Sequence, residues 1–211
     1  PSISTIIKLR VIGRQQQLVR VDFEEKPSAH VLQDKRTRFT SLLSDFDLVV
    51  LSDYAKGSLV NVSTMIEAAR HQGKKVLVDP KGNDFSRYAG ATMLTPNKSE
   101  LRQVIGDWQS EQDLVTKAQN LREQLQLEAL LLTRSEEGMS LFTADQVYTV
   151  PASAREVYDV SGAGDTVIAS VAVMLAEGRS MQEAVEIANR AGGIVVGKLG
   201  TATVTREELF G

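Results

Sequence analysis

Short apolar runs that alternate with helix-like segments are the feature that most constrains the fold of this chain. Short, mainly apolar stretches occur at 47–51, 76–78, 91–94 and 129–132. Segments with helical spacing of apolar residues occur at about 31–43, 63–72 and 111–125. A continuous apolar strand is typical of a sheet covered on both faces. Strands in alternation with helices therefore predict a mainly parallel sheet with helices on both sides.

The two ends of the chain add further elements. The runs at 5–11 and 18–23 alternate apolar and polar residues, as half-buried strands do, and Gly13 lies between them, so they predict a β-hairpin. Four cations, and no acid, occur up to residue 21 and give this hairpin a basic face: Lys8, Arg10, Arg14 and Arg20. A second hairpin is predicted at about 140–150, followed by helices up to about 177 and from about 180 to 196.

Composition limits the classes of function. The chain has 211 residues, 42% hydrophobic, with a net charge of −3, no cysteine and two histidines. A disulfide framework, a cysteine nucleophile and a histidine-rich metal site are therefore disfavoured. No apolar run approaches the roughly 20 residues that span a bilayer, so we expect one globular domain in the cytosol, without membrane or nucleic-acid partners. The chain opens at Pro1 directly into strand-like sequence, which suggests a fragment or a processed chain.

Polar loops follow four of the apolar runs. These loops cover 52–57, 79–82, 95–100 and 133–135. In a parallel sheet they emerge at the same edge, where such folds bind ligands. Each loop also has a structural explanation: 79–82 is good turn sequence, and Asn97 or Thr95 with Glu100 resembles a helix-capping box. Their convergence favours a functional site.

The glycine-rich segment at 159–166 predicts an anion site with an adjacent acid. Gly162 and Gly164 allow a phosphate to approach the main chain, and the amides of the next helix favour a negative ligand. Asp165, in the same turn, could accept a proton from an attacking hydroxyl. Taken alone, the segment could equally be a tight turn followed by an ordinary helix start. The chain contains neither a P-loop motif nor a complete dinucleotide-binding fingerprint.

Two of these motifs resemble those of the PfkB, or ribokinase-like, carbohydrate kinases. Residues 159–166 are similar to the C-terminal signature of the family, and 95–100 is similar to its Asn-x-x-Glu motif. The resemblance implies a ribokinase-like α/β fold with a mainly parallel sheet, helices on both faces and a small β-hairpin lid. It assigns the whole chain, 1–211, to one partial kinase domain, with the lid at 1–25 and the nucleotide-binding core at 45–211.

Further segments resemble the heptose 7-phosphate kinases within this family. These segments lie at 52–57, 79–82, 133–139 and 196–201. The resemblance implies ATP-dependent phosphorylation of D-glycero-D-manno-heptose 7-phosphate at O1, giving the 1,7-bisphosphate in ADP-heptose and lipopolysaccharide core biosynthesis. Asp165 would be the base, and the amides around Gly162, Ala163 and Gly164 would hold the developing charge. Another sugar substrate, or a non-catalytic nucleotide-binding module, remains an alternative.

The resemblance also assigns binding residues. The predicted ATP contacts are Asn97, Lys98, Ser99, Glu100, Thr133, Ser135, Gly138 and Asn189. Asn97 and Glu100 would organise Mg²⁺ through water, while Asp159 and Ser161 match the region where relatives bind a monovalent cation such as K⁺. The predicted sugar-phosphate contacts are Lys8, Arg10, Arg14, Arg20, Lys56 and Lys81. Asn189 could instead be solvated, and the hairpin cations could simply form a solvated strand face.

One part of the family pattern is missing. Family members begin with a strand that carries a sugar-binding acid and a Gly-Gly segment, and nothing here matches it. We therefore expect a kinase domain truncated at its N-terminus that has lost much of its sugar pocket. The resemblance further implies a homodimer, and it leaves open a covalently attached C-terminal adenylyltransferase domain in the full protein.

Overall fold

A computed structural model describes residues 5–13, 16–153 and 156–211. Its strands are Ile7–Gly13 (β1), Gln16–Phe23 (β2), Leu48–Ser52 (β3), Lys75–Asp79 (β4), Met93–Leu94 (β5), Ala129–Thr133 (β6), Met139–Thr143 (β7) and Val147–Val150 (β8). Its α-helices are Ala29–Leu42 (α1), Val62–His71 (α2), Lys98–Ile105 (α3), Glu111–Gln124 (α4), Ala163–Ala176 (α5), Met181–Val196 (α6) and Arg206–Phe210 (α7).

The main sheet has the strand order β3-β4-β5-β6-β7-β8. The first four strands are parallel, and β7 and β8 are antiparallel to their neighbours. The prediction of a mainly parallel sheet is therefore confirmed. Its parallel part brings the carboxyl ends of β3 to β6 to one edge.

Helices cover both faces of this sheet because neighbouring apolar side chains point to opposite faces. In β4, Val76 and Val78 join the hydrophobic core formed with α2, α3 and α4, whereas Leu77 joins the core formed with α5 and α6. All three side chains are completely buried. Alternation between two cores explains why the strand sequence is apolar at every position.

Two helices were not predicted from the sequence. α3 and α7 contain only 8 and 5 residues, too short for a clear apolar period. The capping box predicted for Asn97 and Glu100 is present at the start of α3. Among the described helices, none has the length and apolarity that a membrane span requires.

The N-terminal strands β1 and β2 form a separate antiparallel pair. Its register places Ile7 opposite Phe23 and Leu9 opposite Val21, while Arg10 lies opposite Arg20 on the other face. The predicted hairpin is therefore present with one apolar and one basic face. The expectation of a half-buried apolar face is wrong for the described residues, since Ile7 is 59% and Phe23 57% exposed. A two-stranded ribbon cannot cover its own face, and no described element packs on it.

Candidate active site

Main-chain hydrogen bonds continue past the ends of the parallel strands and hold the loops side by side. They join the amide of Asp53 to the carbonyl of Asp79, that of Thr95 to Val78, and that of Thr133 to Pro96, each at 3.0 Å. The four polar loops predicted to converge do so. The candidate site is built on this edge of the sheet.

The glycine turn opens α5 at the same edge. Gly162 has a φ of 79°, a left-handed conformation that glycine adopts without strain, and its carbonyl accepts the first helical hydrogen bond from the amide of Thr166 at 2.9 Å. Ala163, Gly164 and Asp165 form the first turn of the helix. Amides in a first helical turn have no partner four residues back in the helix, so this turn can donate to an anion.

Asp165 is exposed and faces the loop after β3. The phenol of Tyr54 donates a hydrogen bond of 2.9 Å to Oδ1 of Asp165. Asp79, at the end of β4, is a second acid near this pair. Burial, together with the neighbouring charges of Glu100 and Asp165, raises the pKa of Asp79 to about 6. The site therefore gathers carboxylates that are costly to keep charged together.

A cavity of about 370 Å³ lies beside the glycine turn. Four of the predicted ATP contacts line it: Thr133, Ser135, Gly138 and Asn189. Gly164 also contributes to its wall, so the cavity and the first turn of α5 are contiguous. The side-chain amide of Asn189 donates to the carbonyl of Pro151 at 2.8 Å. That contact fixes its orientation at the cavity wall.

Glycine is required at position 138. Its φ is +88°, and a β-carbon there would lie 2.0 Å from the carbonyl oxygen of Val150. The missing side chain lets β7 approach the segment after β8. This approach shapes the cavity wall.

The remaining predicted ATP contacts lie at the start of α3, where Asn97 is the N-cap and Lys98, Ser99 and Glu100 form the first turn. Oδ1 of Asn97 accepts from the amide of Glu100, and Oε2 of Glu100 accepts from the amide of Asn97, both at 2.9 Å. Lys98 donates to Glu137 at 2.8 Å and joins the start of α3 to the turn after β6. Ser99 is exposed. The structure thus divides the predicted ATP contacts between the cavity and the adjoining start of α3.

The acids at this edge suit a hard, oxygen-binding cation. Glu100 is buried, and its Oε1 accepts from Lys81 at 2.7 Å. Both of its oxygens therefore already have partners, which favours contact with Mg²⁺ through water over direct ligation. Within the described ranges, no group of three or more His, Cys, Asp or Glu forms a protein-only metal cage. Mg²⁺ normally needs no such cage when phosphates and waters supply its other ligands.

The two residues predicted to bind a monovalent cation lie beside the C-terminal end of α6. The amide of Asp159 donates to the carbonyl of Val196 at 3.3 Å. Its carboxylate accepts from the amide of Ser161 at 2.9 Å, and this bond lowers the pKa of Asp159 below its ordinary value. The structure brings the predicted segments together. Their role in cation binding stays a prediction.

The predicted sugar-phosphate contacts occupy two places. Lys81 lies at the strand ends, whereas Lys8, Arg10 and Arg20 lie on the exposed basic face of the hairpin. Lys56 links the two places through an ion pair with Glu24, just after β2. Arg14 lies outside the described residues.

The Arg20 and Asp22 side chains form a 2.8 Å ion pair on the hairpin's basic face. The hydrogen bond from Arg20 lowers the pKa of Asp22, and the charges of Lys56 and Lys8 act in the same direction. The hairpin's basic face therefore adjoins the loop after β3.

Three residues at the strand ends have no individual role predicted from the sequence, namely Asp53, Tyr54 and Asp79. Their position directly after apolar strands was the available signal. The contact between Tyr54 and Asp165 spans 111 positions, so no local pattern could reveal it.

A larger cavity of about 760 Å³ lies between α5, α6 and the C-terminal segment. Its wall is largely apolar and includes Val173, Met174 and Leu209. None of the four strand-end loops lines it. The smaller cavity, which adjoins the strand-end loops and the glycine turn, is therefore the candidate ligand site.

Solved structures identify the class of fold. The ribokinase from Thermotoga maritima matches with a TM-score of 0.78 and 22% identity, covering 99% of this chain and 69% of that chain. Phosphofructokinase-2 from Escherichia coli matches with a TM-score of 0.74 and 17% identity, covering 90% and 64%. The chain therefore has a ribokinase-like α/β fold.

Sequence comparison then identifies the family. The model of the pfkB family carbohydrate kinases matches residues 2–208, so the chain belongs to this family. The D-beta-D-heptose 7-phosphate kinase of Bordetella bronchiseptica is 55% identical over 207 residues, which cover 98% of this chain and 66% of that protein. The bifunctional protein HldE of Shewanella amazonensis is 55% identical over 208 residues, covering 98% and 44%. The chain thus spans only part of the curated relatives it matches.

Proposed function

We propose that the protein is an ATP-dependent kinase that phosphorylates D-glycero-D-manno-heptose 7-phosphate at O1 to give the 1,7-bisphosphate. One observation carries the proposal. The first turn of α5 forms part of the wall of the nucleotide-sized cavity and also presents Asp165 to the strand ends. The 55% identity to a heptose 7-phosphate kinase supports the choice of sugar.

The geometry supports a direct transfer of the phosphoryl group. Asp165 removes the proton from the O1 hydroxyl as O1 bonds to the γ-phosphorus of ATP. The bond from that phosphorus to the β,γ-bridging oxygen breaks, and ADP leaves. Amides at 162–164 and the N-terminus of α5 stabilise the negative charge that develops on the transferred group. Positioning and electrostatics are most of what a protein contributes to such a loose transition state.

The strand-end residues fit a magnesium ion bound to ATP. Glu100 and Asn97 would hold it through water, and Mg²⁺ would supply charge neutralisation for the phosphates. Lys98 and Ser99 lie in the same first turn of α3 as Glu100 and would contact the phosphates with it. Asp159 and Ser161 would contribute to a monovalent cation site, for which K⁺ is the candidate.

The basic face of the hairpin would bind the phosphate that the sugar already carries. Arg10 lies directly opposite Arg20 in the antiparallel register, and the Arg20 guanidinium is already paired with Asp22. A phosphate beside them would accept paired hydrogen bonds from the guanidinium of Arg10. Lys8, Lys56 and Lys81 would extend this positive surface toward the strand ends.

The whole protein carries further proposals. The exposed apolar face of the hairpin supports a homodimer, because such a face is stabilised when a second chain covers it. The bifunctional relatives support a covalently attached C-terminal adenylyltransferase domain. A cytoplasmic location would give the kinase access to ATP.

Turnover of ATP by the full-length protein with synthetic heptose 7-phosphate tests the proposal. A panel of heptose, fructose 6-phosphate and ribose serves as the comparison. We expect the highest kcat/KM for heptose 7-phosphate. A preference for an unphosphorylated sugar would refute both the substrate and the role of the basic hairpin.

A further inference from the structure

We infer that Tyr54 is a positioning residue that holds the carboxylate of Asp165 in place for proton transfer, an inference that rests on the proposed function. Its phenol donates to Oδ1 of Asp165 at 2.9 Å across 111 positions of the chain. No side chain in the described ranges donates to the other oxygen, Oδ2. That oxygen is therefore available to the hydroxyl of the sugar.

The turn that carries Tyr54 is anchored in the core. The buried carboxylate of Asp53, 4% exposed, accepts from the amide of Ala55 at 2.7 Å through Oδ1 and from the phenol of Tyr88 at 2.7 Å through Oδ2. Tyr88 is itself completely buried. Asp53 thus joins the turn to the core through both of its oxygens.

The conformation of this turn is unusual. Ala55 has a φ of +56°, a left-handed conformation that residues with a β-carbon rarely adopt. Strained backbone of this kind persists only where the surroundings impose it, and here the bond from Ala55 to Asp53 does so. The turn therefore fixes where the Tyr54 side chain leaves the loop.

Fold stability alone explains this arrangement poorly. Tyr54 remains 52% exposed, so its ring buries little apolar area, and its partner Asp165 lies in an exposed first helical turn. A hydrogen bond between two exposed groups contributes little to folding. Restricting the rotation of a base is a more direct consequence, because small displacements of reacting groups have large effects on rate.

The hydrogen bond to Asp165 raises the pKa of Tyr54, so the phenol stays a donor at neutral pH. The charge of Asp79 raises the pKa of Tyr54 in the same direction, while Glu100, Asp165 and Lys81 act on the pKa of Asp79. Removal of the phenol should therefore lower the rate by releasing the carboxylate of Asp165.

Tyr54→Phe in the full-length protein tests the inference. We expect kcat to fall about 10-fold to 100-fold with the KM for ATP within about 2-fold of the wild-type value, since only alignment is lost. Tyr148→Phe is the matched control, since Tyr148 also donates to a carboxylate, that of Glu186, away from the site.

An unchanged kcat in Tyr54→Phe would overturn the inference. An increased kcat would also overturn it, because the phenol would then obstruct the base. The ¹³C NMR chemical shift of the Asp165 carboxyl group, compared between the two proteins at one pH, reports the contact without turnover; equal chemical shifts would contradict it. Lack of any wild-type turnover with heptose 7-phosphate would refute the proposed function, while the NMR comparison would still decide whether Tyr54 holds Asp165.

Discussion

The strand-end edge of the main sheet and the N-terminal hairpin are both built from β-strands, yet they differ in what supports them. The strands of the main sheet are buried between helices, and Leu77 and Leu130 are completely inaccessible to solvent. The hairpin exposes Leu9 by 50% and Leu18 by 66%. Isolated two-stranded hairpins are at best marginally stable in water. The main sheet is therefore held from both faces, whereas the hairpin is supported mainly by the pairing of its own two strands.

Polar groups differ between the two regions in the same way. In the part of the chain that the structure describes, every buried side-chain nitrogen and oxygen has a hydrogen-bond partner. The hairpin cations Lys8 and Arg10 are instead exposed to solvent. Substitutions at the sheet edge should therefore alter turnover or stability, whereas substitutions on the hairpin should alter affinity.

The largest effect is expected for Asp165→Asn in the full-length protein. Loss of a general base should lower kcat about 100-fold to 10,000-fold, while ATP binding, measured by calorimetry, should largely persist because the cavity is intact. Asp145→Asn, at an exposed acid in the turn between β7 and β8, controls for the change in net charge. Near-normal turnover of Asp165→Asn would remove the assignment of the base.

Gly138→Ala should be the most destabilising change at the cavity. The new β-carbon would overlap the carbonyl of Val150 at a φ of +88°, so strain and overpacking together should lower the free energy of unfolding by about 3 kcal/mol or more. Gly106→Ala is the matched control, with a φ of +74° and no atom within 4 Å of the new β-carbon. Urea unfolding compares the two, and equal losses would mean that the close approach to Val150 does not matter.

Much of the main sheet could be predicted from the sequence because burial leaves a strong local signal. The apolar run 129–132 and the segment 111–125 became β6 and α4 with nearly the predicted bounds. β5 was harder to bound, since the run 91–94 forms a strand only at Met93–Leu94. The ends of β5 are set by its pairing with β4 and β6. Because this pairing joins distant parts of the chain, the local sequence does not reveal it.

In the candidate site too, local motifs could be predicted from the sequence and contacts between distant residues could not. The glycine turn and Asp165 form a local motif, so their place at the start of α5 followed from the sequence. Tyr54 could not be assigned, because its contact depends on how β3 and α5 meet in space. The exposure of the hairpin's apolar face was also unpredictable, since alternation in a strand indicates two unlike faces but not what covers them.

Asp79→Asn should make the sheet edge more stable at neutral pH. The pKa of Asp79 is raised from an ordinary value of 3.8 to about 6, so the native state holds its proton more tightly than the unfolded state does. The associated stability is complete below about pH 4 and is lost as the pH rises through 6. The substitution should therefore raise the unfolding free energy by about 1–3 kcal/mol at pH 8.

The same Asp79→Asn variant should differ little from the wild type at pH 4. Urea unfolding at both pH values measures the effect, with Asp145→Asn as the control for net charge. A gain of equal size at both pH values would show that proton binding by Asp79 is not its cause. A gain confined to high pH would mark Asp79 as an acid retained for function at the expense of stability.

The smallest of these effects should come from the hairpin. Replacing both Lys8 and Arg10 by Ala in the full-length protein should raise the KM for heptose 7-phosphate about 10-fold, the range of one lost charge-assisted contact. Because neither residue lies at the reacting groups, kcat and the KM for ATP should stay near the wild-type values. The matched control is the double variant Lys74→Ala, Lys75→Ala, which also removes two positive charges but at the opposite end of the sheet. An unchanged KM for the sugar phosphate in the hairpin variant would return these cations to a solvated strand face, and a loss shared by both variants would trace it to net charge alone.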